Sequence, residues 1–324
     1  MDTPETGGQH LLAMTTNARL RALVELADAG SVRGAAERLV VTESSVSSAV
    51  RALSEEIGIA LVDRNGRGVK LTPAGVRYVE YARRILGLHD EAILAARGEA
   101  DPGRGSVRLA AVTSAGELLI PAALASFRAQ YPEVVLNLEV ASRNDVWPML
   151  SRHEVDLVIA GRPPEDLQRH ARIRAVSPNN LIVVGAPDLA ADFQPAGVTW
   201  LLREPGSGTR SAMSALLDEL DVAPTFLVLG SHGAVVAAAV AGLGVTLVSQ
   251  QAVRVQLESG ALVEIPVPGT PLKRPWHLVT QPTPTKSTEL LVAHFIAQKE
   301  PGWRPVSARP APRAGAHATA APSA

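Results

Sequence analysis

The chain has 324 residues, 46% hydrophobic and 3% aromatic, with a formal net charge of -1 and no cysteine. That length asks for two or more domains with cores of Ala, Val and Leu, and the lack of thiols excludes disulfides, Cys-ligated zinc or iron–sulfur centres and thiol redox sensing. With charge balanced, any contact with nucleic acid must come from local placement of cations. The eight histidines show no metal-ligand spacing, no apolar run reaches membrane-spanning length, and the first residues lack a basic-then-apolar signal pattern. A soluble, cytoplasmic protein without metal, cofactor or membrane contact is the expectation.

Residues 1–14 are polar and turn-rich and read as a disordered leader, with Met14 as an alternative start. Residues 16–29 read as a helix with Leu20, Leu23, Val24 and Ala27 on one face, stopped by Gly30. Ser31 is placed to cap a second helix, SVRGAAERL, with Val32, Ala35, Ala36 and Leu39 inward. Thr42 caps a third, TESSVSSAVRALSEEIG, with Val46, Val50 and Leu53 inward and Glu43, Ser44, Ser47, Ser48 and Arg51 outward. A helix that enters a major groove needs short polar groups near its start and a cation for phosphate. Ser44, Ser47, Ser48 and Arg51 meet that need, although the same serines also suit an ordinary solvated face. Glu43 either accepts from a cytosine amino group or favours the helix start through the dipole.

Ile57, Ile59, Leu61 and Val62 read as a compact apolar cluster, followed by DRNGRGVKLTPAG. Asn65-Gly66 signals a tight hairpin turn, and Arg64, Arg67 and Lys70 make it a basic two-stranded wing suited to phosphate. Thr72-Pro73 opens the next helix.

Residues 16–75 resemble the winged helix-turn-helix of LysR-type transcriptional regulators. The matching run is Leu23, Ala27, Gly30-Ser31, Ala35-Ala36, Leu39, Thr42, Ser47, Leu53, Gly58, Leu61, Arg64, Leu71-Thr72 and Ala74-Gly75. The family often has Gln-Pro at Glu43-Ser44, a basic or polar pair at Ser48-Ala49, and Phe at Val62. The resemblance implies double-stranded DNA as partner. Ser31, Arg33, Thr42, Glu43, Ser44, Ser47, Ser48, Arg51, Arg64 and Arg67 are its DNA-binding candidates.

Residues 73–98 read as one long helix whose apolar stripe (Val76, Val79, Ile85, Leu86, Ile93, Leu94) exceeds what so small a unit can cover. Packing on its own domain is one reading; pairing with a second copy is the one the resemblance implies. Two-fold protein symmetry then meets a two-fold DNA site.

After a Pro/Gly hinge, apolar strands alternate with helices, which implies open, mostly parallel α/β sheets in two subdomains. Pro266 to Pro275 returns the chain from the second to the first. This part is similar to the LysR-type effector domain, of periplasmic-binding-protein type. The expected division is a DNA-binding domain at 15–75, a linker and dimerisation helix at 76–98, a hinge at 99–105 and an effector domain at 106–300. Subdomain I covers about 106–178 and 267–300, subdomain II about 179–266, and a disordered tail follows at 301–324.

Ligands of open α/β sheets bind where strands end and helices begin. Three such points are the candidates: Thr113 and Ser114; Ser207, Gly208, Thr209 and Arg210 within REPGSGTR; and Ser231 and His232. Each has a plainer reading, as helix caps for the hydroxyls, as an ion pair with Glu204 or Asp218 for Arg210, and as a cap for His232. REPGSGTR looks like the segment of the Calvin-cycle-operon and sulfur-assimilation branches of the family, which implies a small anionic effector. No nucleophile elbow, Walker loop or metal motif points to an enzyme. The reading is therefore a non-enzymatic regulator, a homodimer or homotetramer; the alternative is a free-standing small-molecule-binding protein.

Overall fold

The computed structural model describes residues 16–65, 68–299 and 302–306, leaving aside the side chains of 64, 65, 68 and 97–100. The expected leader, the Gly66 turn position, Arg67 and the stretch beyond 306 lie outside the described residues.

Three helices come first: α1 (Thr16–Ala29), α2 (Val32–Leu39) and α3 (Glu43–Ile57). Ser31 caps α2 by accepting from Gly34 N, Thr42 caps α3 by accepting from Ser45 N, and Gly58 ends α3 in the left-handed region at φ 76°. Leu20, Leu23, Ala35, Ala36, Val46, Val50 and Leu53 close one core. Small Ala35 and Ala36, fully or almost fully buried, let α2 lie close to its neighbours. The turn between α2 and α3 departs from the usual chemistry, for Val40 takes φ 55° while 89% exposed. Ile59 also departs from the expected apolar cluster: it is 55% exposed, whereas Leu61 is buried. The αL turn at Gly58 aims Ile59 outward before the chain straightens.

Strands β1 (Val62–Asn65) and β2 (Gly68–Leu71) pair antiparallel, Arg64 opposite Val69. Thr72 then fixes the start of α4 (Pro73–Ala100): its hydroxyl donates to Ala60 O and accepts from Gly75 N. A Cβ on Gly75 would lie 1.9 Å from Leu61 O, so this close approach requires glycine. Val79, Ala82 and Leu86 of α4 are buried in the first core, so part of the apolar stripe packs on its own unit. Val76, Tyr81, Ile85, Leu88 and Ile93 stay exposed on other faces.

The remainder holds two lobes. In the first, β3 (Ser106–Val112), β4 (Val135–Ala141), β5 (Leu157–Ala160), β6 (Arg172–Ser177), β13 (Trp276–Thr280) and β14 (Arg304–Pro305) form a sheet in the order β14-β6-β13-β5-β3-β4. Helices α5 (Thr113–Leu118), α6 (Ile120–Gln130), α7 (Arg143–Ser151) and α12 (Lys286–Ala297) flank it. Two buried clusters lie against it, one around Phe127, Leu157 and Phe295, the other around Trp147, Leu150 and Val158. In the second, β7 (Asn180–Gly185) pairs antiparallel with β10 (Thr246–Ser249), β11 (Val263–Glu264) and β12 (Leu272–Lys273). Strand β8 (Trp200–Leu202) joins β10 through a parallel bridge, Trp200 to Val245, and β9 (Phe226–Val228) pairs only with β8 among the described strands. Helices α8 (Pro187–Ala190), α9 (Gly208–Glu219), α10 (His232–Val240) and α11 (Arg254–Glu258) complete this lobe.

Parallel ladders are thus confined, among the described strands, to β3 with β4 and β5, and β8 with β9, besides the single Trp200–Val245 bridge. The expectation of mostly parallel sheets is corrected here. The chain crosses between lobes twice, at 178–179 and 274–275: β7 starts the second lobe and its later partners run antiparallel to it, and β13 returns to the first lobe antiparallel to β5 and β6. The tail is also corrected in part: Trp303 is buried against Phe295, and Arg304–Pro305 pairs with β6.

Candidate effector cleft and DNA-reading face

On the first unit, the outward residues of α3 divide into two groups. Thr42 and Ser44 bond to each other (2.9 Å), so the start of the helix is internally satisfied. Ser47, Ser48 and Arg51 are exposed, with no hydrogen-bond or ion-pair partner among the described residues. Glu43 sits exposed in the first turn, where the dipole favours a carboxylate. Arg33 is held by Glu37 at 2.9 Å, one turn along α2. Ser31 is spent as a cap, at 3.1 Å from Gly34 N. The backbone of Arg64 lies in β1.

Between the lobes lies a cavity of about 840 Å³. One wall is the start of α5, where Thr113 and Ser114 are half-buried. Neither caps the helix, and neither hydroxyl has a partner among the described residues, so the cap reading fails for this pair. The facing wall is the start of α9, with Ser207, Gly208 and Thr209. Ser207 is a cap, accepting from Arg210 N at 3.4 Å, while Thr209 is free of partners among the described residues. Three helices, α5, α7 and α9, thus point their N-termini at one space, each with free N–H groups and a positive dipole end.

The charges agree with that polarity. Arg143, Arg162, Arg203, Lys273 and Arg274 line the cavity against a single lining carboxylate, Glu204. Glu204 is taken up by Arg203, through two bonds of 2.6 and 2.7 Å. Burial works to raise the Glu204 carboxyl, but the Arg203 guanidinium, joined by a backbone hydrogen bond, outweighs it and holds the group below the usual range. Arg143 donates to Arg162 O at 3.0 Å, and no ion pair to a carboxylate is formed by Arg143, Arg162, Lys273 or Arg274 among the described residues. His277, also lining the cavity, is kept neutral-leaning chiefly by burial.

Three of the residues expected at the ligand stand outside this wall. Arg210 turns away and donates to Arg203 O at 2.8 Å, pairing with neither Glu204 nor Asp218. Ser231 caps α10, accepting from Ala234 N at 3.2 Å. His232 is 7% exposed behind the Arg203–Glu204 pair, where burial, reinforced by the Arg203 charge, pushes its pKa down to about 4. Strand order is the reason: β9 lies outside β8, so the loop after it falls one strand farther from the crossovers.

Ser142, Arg143 and Asn144, together with the crossover residues Lys273 and Arg274, are cavity residues that the sequence reading missed. The first three follow β4 just as Thr113 follows β3, and the same strand-end rule applied once more finds them. The crossover cations carry no local signal.

Residues 18–76 match the family description "Bacterial regulatory helix-turn-helix protein, lysR family", and residues 100–299 match "LysR substrate binding domain". The chain is 32% identical over 255 residues to the HTH-type transcriptional regulator CbbR of Rhodospirillum rubrum, covering 77% of this chain and 84% of that one. It is 34% identical to the RuBisCO operon transcriptional regulator of Allochromatium vinosum, covering 81% and 88%. Among solved structures, full-length CbnR in complex with its target DNA superposes with a TM-score of 0.60 at 20% identity, covering 86% of this chain and 98% of that one.

Proposed function

The chain belongs to the LysR family of DNA-binding transcriptional regulators, and from that premise we propose that it is a cytoplasmic, non-enzymatic switch whose effector is a small anion, a phosphorylated metabolite or an inorganic oxyanion. One observation carries the anion: five lining cations and three helix N-termini share the cavity with one carboxylate, which is itself neutralised. Fixed donors in a concave site hold a phosphate or carboxylate without reorganising. The RuBisCO-operon name of the Allochromatium vinosum relative is consistent with a regulator of carbon metabolism. Thr113, Ser114, Ser207 and Thr209 are the short-range donors, Arg143 and Arg274 the charge.

Thermal shift on the full chain tests it, with sulfate, phosphate, sugar phosphates, dicarboxylates and aromatic acids. A ligand at 100 times its dissociation constant adds about 2.7 kcal/mol. Stabilisation by one anion class, lost in Thr209→Ala, is the expected result. Stabilisation by neutral ligands alone would remove the anion.

The DNA reader is α3, with Ser44, Ser47, Ser48 and Arg51 toward the groove and the wing toward the backbone. Self-association follows from what stays uncovered. Tyr81, Ile85 and Leu88 recur along α4 at helical spacing and are 63%, 48% and 54% exposed, which suits pairing with a second copy. Strands β4 and β9 end their sheets with Val135, Val140, Phe226 and Val228 exposed, a further surface by which dimers join into a tetramer. Ile85→Glu with Leu88→Glu yields a monomer by sedimentation; a retained dimer would move the interface elsewhere.

A further inference from the structure

One short helix links the cavity to the long helix α4. The start of α7 (Ser142, Arg143, Asn144) lines the cavity. Its middle is fixed in the first lobe by Val146, Trp147 and Leu150, all at most 4% exposed, with Leu150 O accepting from Gln281 at 2.5 Å. At about 1.5 Å per residue it spans roughly 13 Å, with Pro148 inside it. The loop that follows it, residues 152–154, sits on the long helix α4.

That seat is closely made. The Arg152 guanidinium donates two bonds to Glu80, each 2.9 Å. His153 Nδ1 lies 2.5 Å from Glu91 Oε2, and Glu91 is buried. Between these two contacts the loop backbone meets α4 at Gly87, where a Cβ would come within 2.1 Å of Arg152 O. His153 itself is held at φ 58°, a conformation that a non-glycine residue keeps only when its surroundings impose it. From the seat, Arg83 continues the contacts to Glu80 and to Asp28 of α1, and Arg21 of α1 reaches Asp90. The acidic face of α4 therefore receives the loop on one side and grips the DNA-binding unit on the other.

We propose that α7 is a lever and the Glu80–Gly87–Glu91 face of α4 its latch, so that occupancy of the cavity is read at the DNA-binding arm through the seat of residues 152–154. The proposal rests on the cavity being the effector site. Glu80, Gly87 and Glu91 are positioning residues: they touch neither ligand nor DNA. A ligand drawing on Arg143 and Asn144 biases the orientation of α7, and one ion pair, one His153–Glu91 hydrogen bond and one glycine gap give the seat a docked and an undocked state for that bias to select.

Hydrogen exchange on the full chain tests this, with inorganic phosphate as probe and calorimetry reporting its binding. Phosphate is expected to change the exchange of amides 84–91 by about tenfold, the scale of a modest shift in local opening. Glu80→Gln with Glu91→Gln is expected to retain phosphate binding, its affinity changed by no more than the same tenfold coupling, and to abolish that response. Binding without a change at 84–91, or an equal change in the double variant, overturns the latch. A second arm needs no ligand. A Cβ on Gly208 would stand in ordinary contact with Arg143 Cδ at 3.4 Å, so the longer side chain of Gly208→Leu crowds Arg143 at the start of α7. It is expected to alter exchange at 84–91 by itself. If phosphate does not bind, the anionic reading of the cavity falls and the wedge alone decides: altered exchange upholds the latch, and unaltered exchange with a native circular dichroism spectrum overturns it.

Discussion

The outer face of α3 and the cavity between the lobes both hold polar groups without partners, but under opposite conditions. Ser47, Ser48 and Arg51 stand exposed on a convex helix, and the neighbouring cations of that unit are mostly committed: Arg19 to Glu56, Arg21 to Asp90, Arg33 to Glu37, Arg83 to Asp28. Each contact from such a surface is solvated and weak, so affinity has to be summed over copies of the unit. In the cavity the unpaired cations face one another across a concave space, with Arg203 buried in its wall. On the proposed reading one chain suffices to hold a small anion, whereas reading DNA calls for two. The difference places ligand affinity in single side chains and DNA affinity in assembly.

The sharpest way to break the cavity is Arg203→Met. It leaves the partly buried Glu204 carboxylate without its partner in the wall, and a loss of about 1–3 kcal/mol, read as a fall in Tm, is expected. A near-native Tm would mean that Glu204 relaxes into solvent. Next comes pH. His232 titrates near 4 in the folded chain against 6.5 as the ordinary value, so it must be neutral to stay buried. Its contribution is fully present above pH 6.5 and is lost as pH falls toward 4, by up to about 3 kcal/mol. His232→Gln should flatten the fall in stability across that window; an unchanged pH profile would assign acid lability to other groups. Arg143→Ala should weaken the probe anion by about 1.5–3 kcal/mol while leaving DNA affinity intact. Loss of both by calorimetry and anisotropy would erase the contrast between the two sites. On the other side, Arg51→Ala with Ser47→Ala should cost about 1–3 kcal/mol per contact in DNA binding and lower the salt slope by about 1. Unchanged DNA binding would remove α3 as the reader. Smallest is Val40→Asn, which relieves a left-handed β-branched residue and should raise stability by about 1 kcal/mol.

What the sequence made legible was local. Gly30, Ser31 and Thr42 mark helix ends because each acts on backbone groups within four residues, and the structure uses all three. The LTPAG exit is legible for the same reason: Thr72 and Gly75 make their contacts to residues 60–61 across one hairpin. The cavity was half legible. Thr113 and Thr209 follow strands directly, but Arg274 reaches the site only because two crossovers lay β12 against β7, and no window of sequence contains that pairing. His232 was misplaced by the opposite fault: a correct local signal, strand then helix, on a strand whose rank in the sheet was unknown. Val40 gave no warning, since nothing in a β-branched residue announces a left-handed turn.

The strand at 304–305 has a practical consequence. It covers β6, with Val306 N bonded to Arg174 O, and Trp303 anchors it over Phe295. A truncation at residue 300 would bare a row of unpaired backbone groups next to an emptied tryptophan pocket, the pattern that invites edge-to-edge aggregation. Tags and fusions therefore belong beyond Val306, and a shortened effector domain that precipitates would be reporting a missing edge strand rather than an unstable core.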